Sequence, residues 1–163
     1  MGWLKRWWPA LVWAAVISGF STGAFTSEKT SHIIIPVLHF FLPHASMETL
    51  QFLHHIIRKC GHFTEYFILG MLILRGIRAG EKGMHLRWAL VTILIVAGYA
   101  SLDEYHQSFV PGRTPAVRDV FIDTTGGAAA QIVASLVVLL GASREKRRQV
   151  EQNAAGATPA NKD

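Results

Sequence analysis

The sequence predicts an all-α membrane protein, a bundle of four transmembrane helices with a short interfacial or re-entrant segment between the first and the second. Half of the 163 residues are apolar, and only 17% are charged. The apolar residues fall in four blocks, and a hydrocarbon core about 30 Å thick requires roughly 20 such residues per helix. The blocks predict spans at about 7–25, 60–78, 86–105 and 119–141, within a single domain at 1–148.

The first span has features of both a signal peptide and a membrane anchor. Lys5-Arg6 precedes its apolar stretch, and Thr22-Gly23-Ala24 loosely resembles a cleavage site. Three tryptophans between positions 7 and 13 are typical of the aromatic belt at a membrane interface. We therefore interpret the segment as a retained helix.

The segment between the first two spans contains an apolar stretch that is too short to cross a bilayer. His32–Leu42 has about eleven residues and is interrupted by Pro36, which favours an interfacial or re-entrant segment. Residues 28–31 before it are polar and are predicted to form a turn. Ser46 is a suitable N-cap for an amphipathic helix that begins at Met47 and leads into the second span.

Two neighbouring histidines, His54 and His55, lie on this amphipathic helix. Adjacent residues point about 100° apart on a helix, so the pair is a poor metal chelate. We interpret both as solvated interfacial histidines.

The distribution of positive charge predicts the orientation of the chain. Most of the 16 lysine and arginine residues fall in the N-terminal leader, in the loop after the second span and in the C-terminal tail. This bias predicts a multi-pass protein of the cell inner (plasma) membrane with both termini cytoplasmic. Because the basic residues flank apolar spans, a nucleic-acid partner is excluded. Residues 149–163 are predicted to be a disordered cytoplasmic tail.

Polar residues gather at the outer ends of the second, third and fourth spans. In the second span, His62 and Glu65 are three residues apart and share a face with Arg58. In the third, Asp103, His106 and Gln107 are expected on one face. Charged residues at membrane depth are costly and typically mark a functional site. The other members of this cluster are Lys59, Glu104, Arg113, Asp119 and Asp123.

The three polar blocks resemble the VanZ-like family. The matching positions are Lys59-x-x-His62-Phe63-x-Glu65-Tyr66-x-x-Leu69-Gly70, Asp103-Glu104-x-His106-Gln107-x-Phe109-Val110-Pro111-Gly112-Arg113 and Asp119-Val120-x-x-Asp123-Thr124-x-Gly126. The family is named after a protein linked to teicoplanin resistance, and its members are small bacterial and archaeal membrane proteins. For most of them no activity is established, so the resemblance implies a fold and a set of site residues rather than a reaction.

A helical bundle can bring the three blocks into one extracytoplasmic pocket. There a histidine would transfer protons while a carboxylate from another helix orients it, and Arg113 and Lys59 would hold a phosphate or pyrophosphate. We expect a hydrolase or transferase that acts on the head group of an envelope lipid or on a lipid-linked phosphate. The expected catalytic residues are His62, Glu65, Asp103, Glu104, His106 and Asp123, and the expected substrate-binding residues are Lys59, Gln107, Arg113 and Asp119.

Several alternatives stay open. Asp103-x-x-His106 has the residue order of carboxylate-bridged metal bundles, so Mg²⁺, Mn²⁺ or Zn²⁺ is an alternative cofactor. The second class of function is a non-catalytic protein that recognises a cell-wall-active glycopeptide or a lipid precursor. The charges could also serve only to join the helices, although buried ion pairs stabilise weakly. A transporter would require a homo-oligomer, and the oligomeric state is left open.

The predicted orientation can be tested by labelling a cysteine placed at Phe109, between the third and fourth spans. A membrane-impermeant maleimide should label this cysteine in intact cells, because the loop is predicted to be extracytoplasmic. Protection in intact cells, with labelling only after lysis, would reverse the orientation and move the site to the cytoplasmic side.

Overall fold

The computed structural model describes residues 2–81, 83–113 and 116–156, and within these ranges it contains five α-helices and no strand. The all-α prediction is therefore confirmed. The helices are α1 (Trp3–Phe20), α2 (Ser27–Phe41), α3 (Met47–Arg78), α4 (Leu86–Gln107) and α5 (Val117–Gly156), with a short 3₁₀ turn at Gly23–Phe25.

Two helices in the described part of the chain are long and apolar enough to cross a membrane. They are Leu86–Gln107 and Val117–Asn153. The helices at the other two predicted spans include polar side chains that lower their mean hydropathy: Lys5 and Arg6 precede the predicted span within α1, and His62 and Glu65 lie within α3. The two apolar helices accord with a membrane protein, and the count of four spans stays a prediction.

Helix α1 ends earlier, and helix α5 ends later, than the sequence predicts. α1 stops at Phe20 rather than near 25, where small polar residues follow and the Thr22 hydroxyl donates to the Gly19 carbonyl at 2.7 Å. α5 continues through residues 149–156, which we expected to be disordered. That stretch is rich in good helix formers and simply extends the preceding turns. The rest of the predicted tail, residues 157–163, lies outside the described residues.

Helix α2 occupies the predicted interfacial segment but begins earlier than expected. The predicted turn at residues 28–31 is helical, because Thr26 caps the helix and accepts a hydrogen bond from the Lys29 backbone N–H. The helix also continues through Pro36. It has no buried residue, and the side chains of Ile33, Phe40 and Phe41 are each more than 70% exposed. An apolar face of this kind suits a membrane interface.

Helix α3 combines the predicted amphipathic helix and the second span in one continuous element of 32 residues. Its N-cap is Ser46, as predicted, and the Ser46 hydroxyl accepts from the Thr49 backbone N–H at 3.2 Å. At 1.5 Å per residue the helix is about 48 Å long, which exceeds the bilayer core. Its first turns therefore extend beyond the hydrocarbon region when its last turns lie within it.

Helix α3 is the centre of the bundle and packs against α1, α2, α4 and α5. The core includes Ile17, Tyr66, Leu69 and Val96, all nearly inaccessible to solvent. The closest approach is between α3 and α5, where glycines remove the side chains that would keep the backbones apart. A Cβ at Gly70 would lie 3.1 Å from the Cα of Gly127, and one at Gly126 would collide with the Phe63 carbonyl oxygen. The glycines of α5 at 126 and 127 thus allow the two helices to pack closely.

Replacing Gly126 by alanine should destabilise the bundle, because the added methyl group forces α3 and α5 apart. Overpacking of this kind typically costs about 1–3 kcal/mol. Gly141→Ala is the matched control, since a Cβ there meets nothing within 4 Å and alanine is the better helix former. Thermal unfolding in detergent should show a lower midpoint for Gly126→Ala alone. Equal midpoints would contradict the close packing.

Candidate functional site

Two adjoining cavities lie at one end of the bundle. The cavity that extends along α3 as far as Glu65 is called the inner cavity and has a volume of about 150 Å³; the cavity that extends in the other direction as far as His55 is called the outer cavity and has a volume of about 250 Å³. Both are lined by Arg58, His62 and Arg113, so these three side chains form the boundary between them. The inner cavity is completed by Phe20, Ser21, Phe25, Thr30, Gly61 and Glu65, and the outer one by Ser27, His55, Lys59, Gln107, Gly112 and Asp119.

His62 and Asp123 meet between α3 and α5. The His62 Nδ1 and Asp123 Oδ1 atoms are 3.4 Å apart, and neither has a hydrogen-bond partner among the described residues. The Asp123 side chain is only 2% exposed, so its carboxylate faces the imidazole without competition from solvent. A carboxylate held next to one ring nitrogen orients the imidazole for proton transfer through the other. This is the arrangement of a histidine and a carboxylate from another helix that the sequence predicts.

Asp103 is the centre of a buried hydrogen-bond network. Its Oδ2 accepts from the Ser21 hydroxyl at 2.7 Å and from the Gln107 Nε2 at 2.9 Å. The Gln107 Oε1 in turn accepts from Arg113 at 3.3 Å. The network joins α1, α4 and the loop after α4. Asp103 is linked to Arg113 through Gln107 and lines neither cavity, and the catalytic role predicted for it stays a prediction.

Arg113 and Arg58 are held by backbone carbonyls rather than by carboxylates. Arg113 donates to the carbonyls of Phe20 at 2.5 Å and Thr22 at 3.3 Å, beyond the last turn of α1. Arg58 donates to the Phe25 carbonyl at 3.1 Å and to the Thr30 hydroxyl at 3.0 Å. Neither guanidinium has an ion pair in the described part of the chain.

The two arginines line the same cavities, and the pKa of each is lowered. Burial lowers the pKa of Arg58, and the positive charge of Arg113 lowers it further. Burial also lowers the pKa of Arg113, while the Asp103 carboxylate opposes that shift. A guanidinium stays charged at neutral pH even so, because its ordinary pKa is far above 7. The site therefore holds two cations, and the carboxylate of Glu65 acts to raise the pKa of both without forming an ion pair with either.

Lys59 and Glu104 have structural partners at the edge of the site. Lys59 forms an ion pair with Asp119 across α3 and α5. The buried Glu104 carboxylate accepts from the Ala116 backbone N–H at 2.5 Å, next to the first turn of α5. A carboxylate at this position is favoured by the helix dipole. Of the predicted residues, Lys59 and Asp119 line the outer cavity, whereas Glu104 lines neither cavity.

His106 lies outside the site, although the sequence predicts it as catalytic. Its side chain is exposed, while Asp103, Glu104 and Gln107 are buried. At about 100° per residue, the buried face of α4 is centred close to Gln107, and His106 points about 100° away from that residue. The spacing of Asp103 and His106 is thus helical but does not place both on the packed face. Within the described ranges no three His, Cys, Asp or Glu side chains are grouped to hold a metal ion.

Three contributors to the site were missed as site residues. The sequence placed Arg58 on the His62 face but gave it no function, and Ser21 was not predicted to be a site residue. The third is His54, which we expected to be solvated. It is 5% exposed, and its Nε2 lies 3.1 Å from the Thr30 hydroxyl, so it helps to dock α2 beside Arg58. Only the Arg58 contribution has a signal in the sequence, its spacing from His62.

Comparison with known proteins gives one match. A family model described as VanZ/LLP1 matches residues 7–139. No curated protein and no solved structure matches the chain. The matched range includes all three polar blocks, which confirms the resemblance seen in the sequence.

Gln107→Leu should destabilise the protein, because it removes a donor to Asp103 and the acceptor for Arg113. Leaving buried polar groups without partners costs about 1–3 kcal/mol, more for charged ones. Ser108→Ala is the control, since that exposed hydroxyl donates only to the Tyr105 carbonyl. Thermal unfolding in detergent should show a large drop for Gln107→Leu only. Similar midpoints for the two variants would show that the network contributes little.

Proposed function

The chain belongs to the VanZ/LLP1 family of membrane proteins, and from the geometry of its site we propose that it binds the phosphate of a lipid head group and acts on it by acid/base chemistry. The proposal assigns phosphate binding to Arg58 and Arg113 and proton transfer to His62, which Asp123 orients.

The observation that supports this proposal most directly is the pair of arginines without anionic partners. Arg58 and Arg113 line both cavities, and the described residues provide neither with an ion pair. Half-buried cations that repel each other are unfavourable unless an anion lies between them. A phosphate matches this need, because each guanidinium can donate two parallel hydrogen bonds to its oxygens.

The position of His62 suits transfer of a proton at the bound phosphate. Since Nδ1 lies beside Asp123, Nε2 is the ring nitrogen available to a substrate. In a hydrolysis, Nε2 would accept a proton as water forms a bond to phosphorus, and it would return the proton to the oxygen whose bond to phosphorus breaks. The two guanidiniums would stabilise the negative charge on the phosphoryl oxygens in the transition state.

The size of the cavities favours a head group over a large ligand. Pockets that enclose drug-sized molecules typically have volumes of about 300–1,000 Å³. The inner cavity, at about 150 Å³, is smaller, so enclosure of a glycopeptide is not supported. The distribution of lysine and arginine supports a site on the extracytoplasmic side, where the substrate would be an outer-leaflet lipid.

The proposal predicts different effects for two histidines that the sequence treats alike. His62→Asn should lower turnover by about 10²–10⁴-fold, the usual contribution of a general acid/base, while lipid affinity is retained. His106→Asn is the matched control and should keep wild-type turnover, because His106 is exposed. The substrate is found first by comparing lipid extracts of a deletion strain with those of the wild type, and turnover is then measured in proteoliposomes.

Three results separate the proposal from its alternatives. Identical lipid extracts, together with lipid binding that Arg58→Gln weakens, would show binding without turnover. Equal loss of turnover in the two histidine variants would remove His62 from its assigned role. Unchanged lipid binding in both Arg58→Gln and Arg113→Gln would contradict the phosphate site itself.

A further inference from the structure

The inner cavity contains a carboxylate that the proposed phosphate chemistry does not use. Glu65 lines this cavity from α3, two turns beyond Arg58. No hydrogen bond or ion pair to its side chain is found in the described part of the chain. Two cationic side chains, Arg58 and Arg113, line the same cavity. A half-buried carboxylate without a donor needs a partner for the same reason that the two arginines do.

The aromatic wall of the same cavity favours a cationic partner for Glu65. Phe20 and Phe25 both line the inner cavity, and their ring centroids are 5.1 Å apart in an edge-to-face arrangement. The face of an aromatic ring attracts an ammonium group through its negative π-electron density. A carboxylate together with aromatic rings is thus a chemistry that recognises an ammonium, whereas it would weaken the binding of a purely anionic ligand.

The two kinds of charge lie in one small space. Arg58 and Arg113 stand at the boundary with the outer cavity, and Glu65 lines only the inner one. For a ligand that extends from the outer cavity into the inner one, the guanidiniums therefore lie before the carboxylate. A volume of about 150 Å³ suits a group of a few heavy atoms. The order of the groups requires a cation at the tip of the head group and a phosphate behind it.

From this arrangement we propose that the inner cavity selects a zwitterionic head group with a phosphate and a terminal ammonium, of the phosphoethanolamine type. The ammonium lies against Glu65 and the two phenylalanines, and the phosphate lies between Arg58 and Arg113. The inference rests on the proposed function, since it places the lipid phosphate in the same site and adds the class of head group. The glycerol and acyl chains remain outside the cavity.

The test measures the binding affinity of the purified full chain in detergent for two short-chain lipids, phosphatidylethanolamine and phosphatidylglycerol. The two lipids have the same acyl groups and differ only in the head group. The wild type should bind phosphatidylethanolamine about tenfold more tightly or better, which corresponds to one charge-assisted hydrogen bond. Glu65→Gln should remove this preference and leave the affinity for phosphatidylglycerol within about threefold of the wild-type value. Glu48→Gln, an exposed change in the first turn of α3, is the control and should keep the preference. Soluble O-phosphoethanolamine, as a competitor, distinguishes a free phosphate ligand from a lipid.

The outcomes separate this inference from the function on which it rests. Equal binding of the two lipids by the wild type would overturn the ammonium site but keep the phosphate site, and this result needs no variant to fold. A Glu65→Gln variant that binds both lipids more weakly by the same factor would also overturn the ammonium site. Binding of neither lipid would overturn the inference and the proposed function together. Stronger binding of soluble O-phosphoethanolamine than of the lipid would contradict a lipid head group as the ligand.

Discussion

The backbone contact between α3 and α5 is the constraint on which the geometry of the site depends. The glycines at 126 and 127 lie where α5 meets α3: a Cβ at Gly126 would collide with the Phe63 carbonyl oxygen, and a Cβ at Gly70 of α3 would lie 3.1 Å from the Gly127 Cα, so no side chain separates the two backbones there. Asp123 is one turn before these glycines, and His62 is one residue before Phe63, whose carbonyl oxygen faces Gly126. The contact therefore fixes both members of the His62–Asp123 pair at once. Larger residues at the contact would separate the two groups even if neither were changed.

The charges of the site fall into two groups with different functions. The first group has hydrogen-bond or ion-pair partners within the protein: Asp103 pairs with the neutral Gln107, Lys59 with Asp119, and Glu104 with the Ala116 backbone N–H. These contacts hold α1, α4 and α5 in place. In contrast, Arg58, Arg113 and Glu65 form no ion pair among the described residues. Since a buried charge without an ion pair is costly, this second group is where we propose that a ligand binds. The sequence shows how many charged residues the site contains, but only the contacts in the structure separate the paired charges from the unpaired ones.

Local spacing was enough to predict part of the site. Arg58, His62 and Glu65 lie on one helix at spacings of three and four, and the structure places all three on the inner cavity. The exposed position of His106 could not be predicted, because the face of α4 that becomes buried depends on α3 and α5, which pack against it. The Ser21 hydroxyl that donates to Asp103 lies 82 residues away in the sequence. The end of α1 was misplaced for a related reason, since apolar content does not show where small polar residues end a helix. The family match supports the membership seen in the sequence, whereas the partners of each side chain can be read only from the contacts in the structure.

The order in which the chain is synthesised has a consequence for how this site is completed. Helix α1, helix α4 and the loop that carries Arg113 all precede α5 in the chain, and the Asp103 network contains no residue of α5. The carboxylates that face His62 and Lys59, in contrast, are both on α5. A chain that ends before α5 could therefore form the Asp103 network but would leave His62 and Lys59 without their carboxylates. The site is completed only when the last helix of the described chain is present.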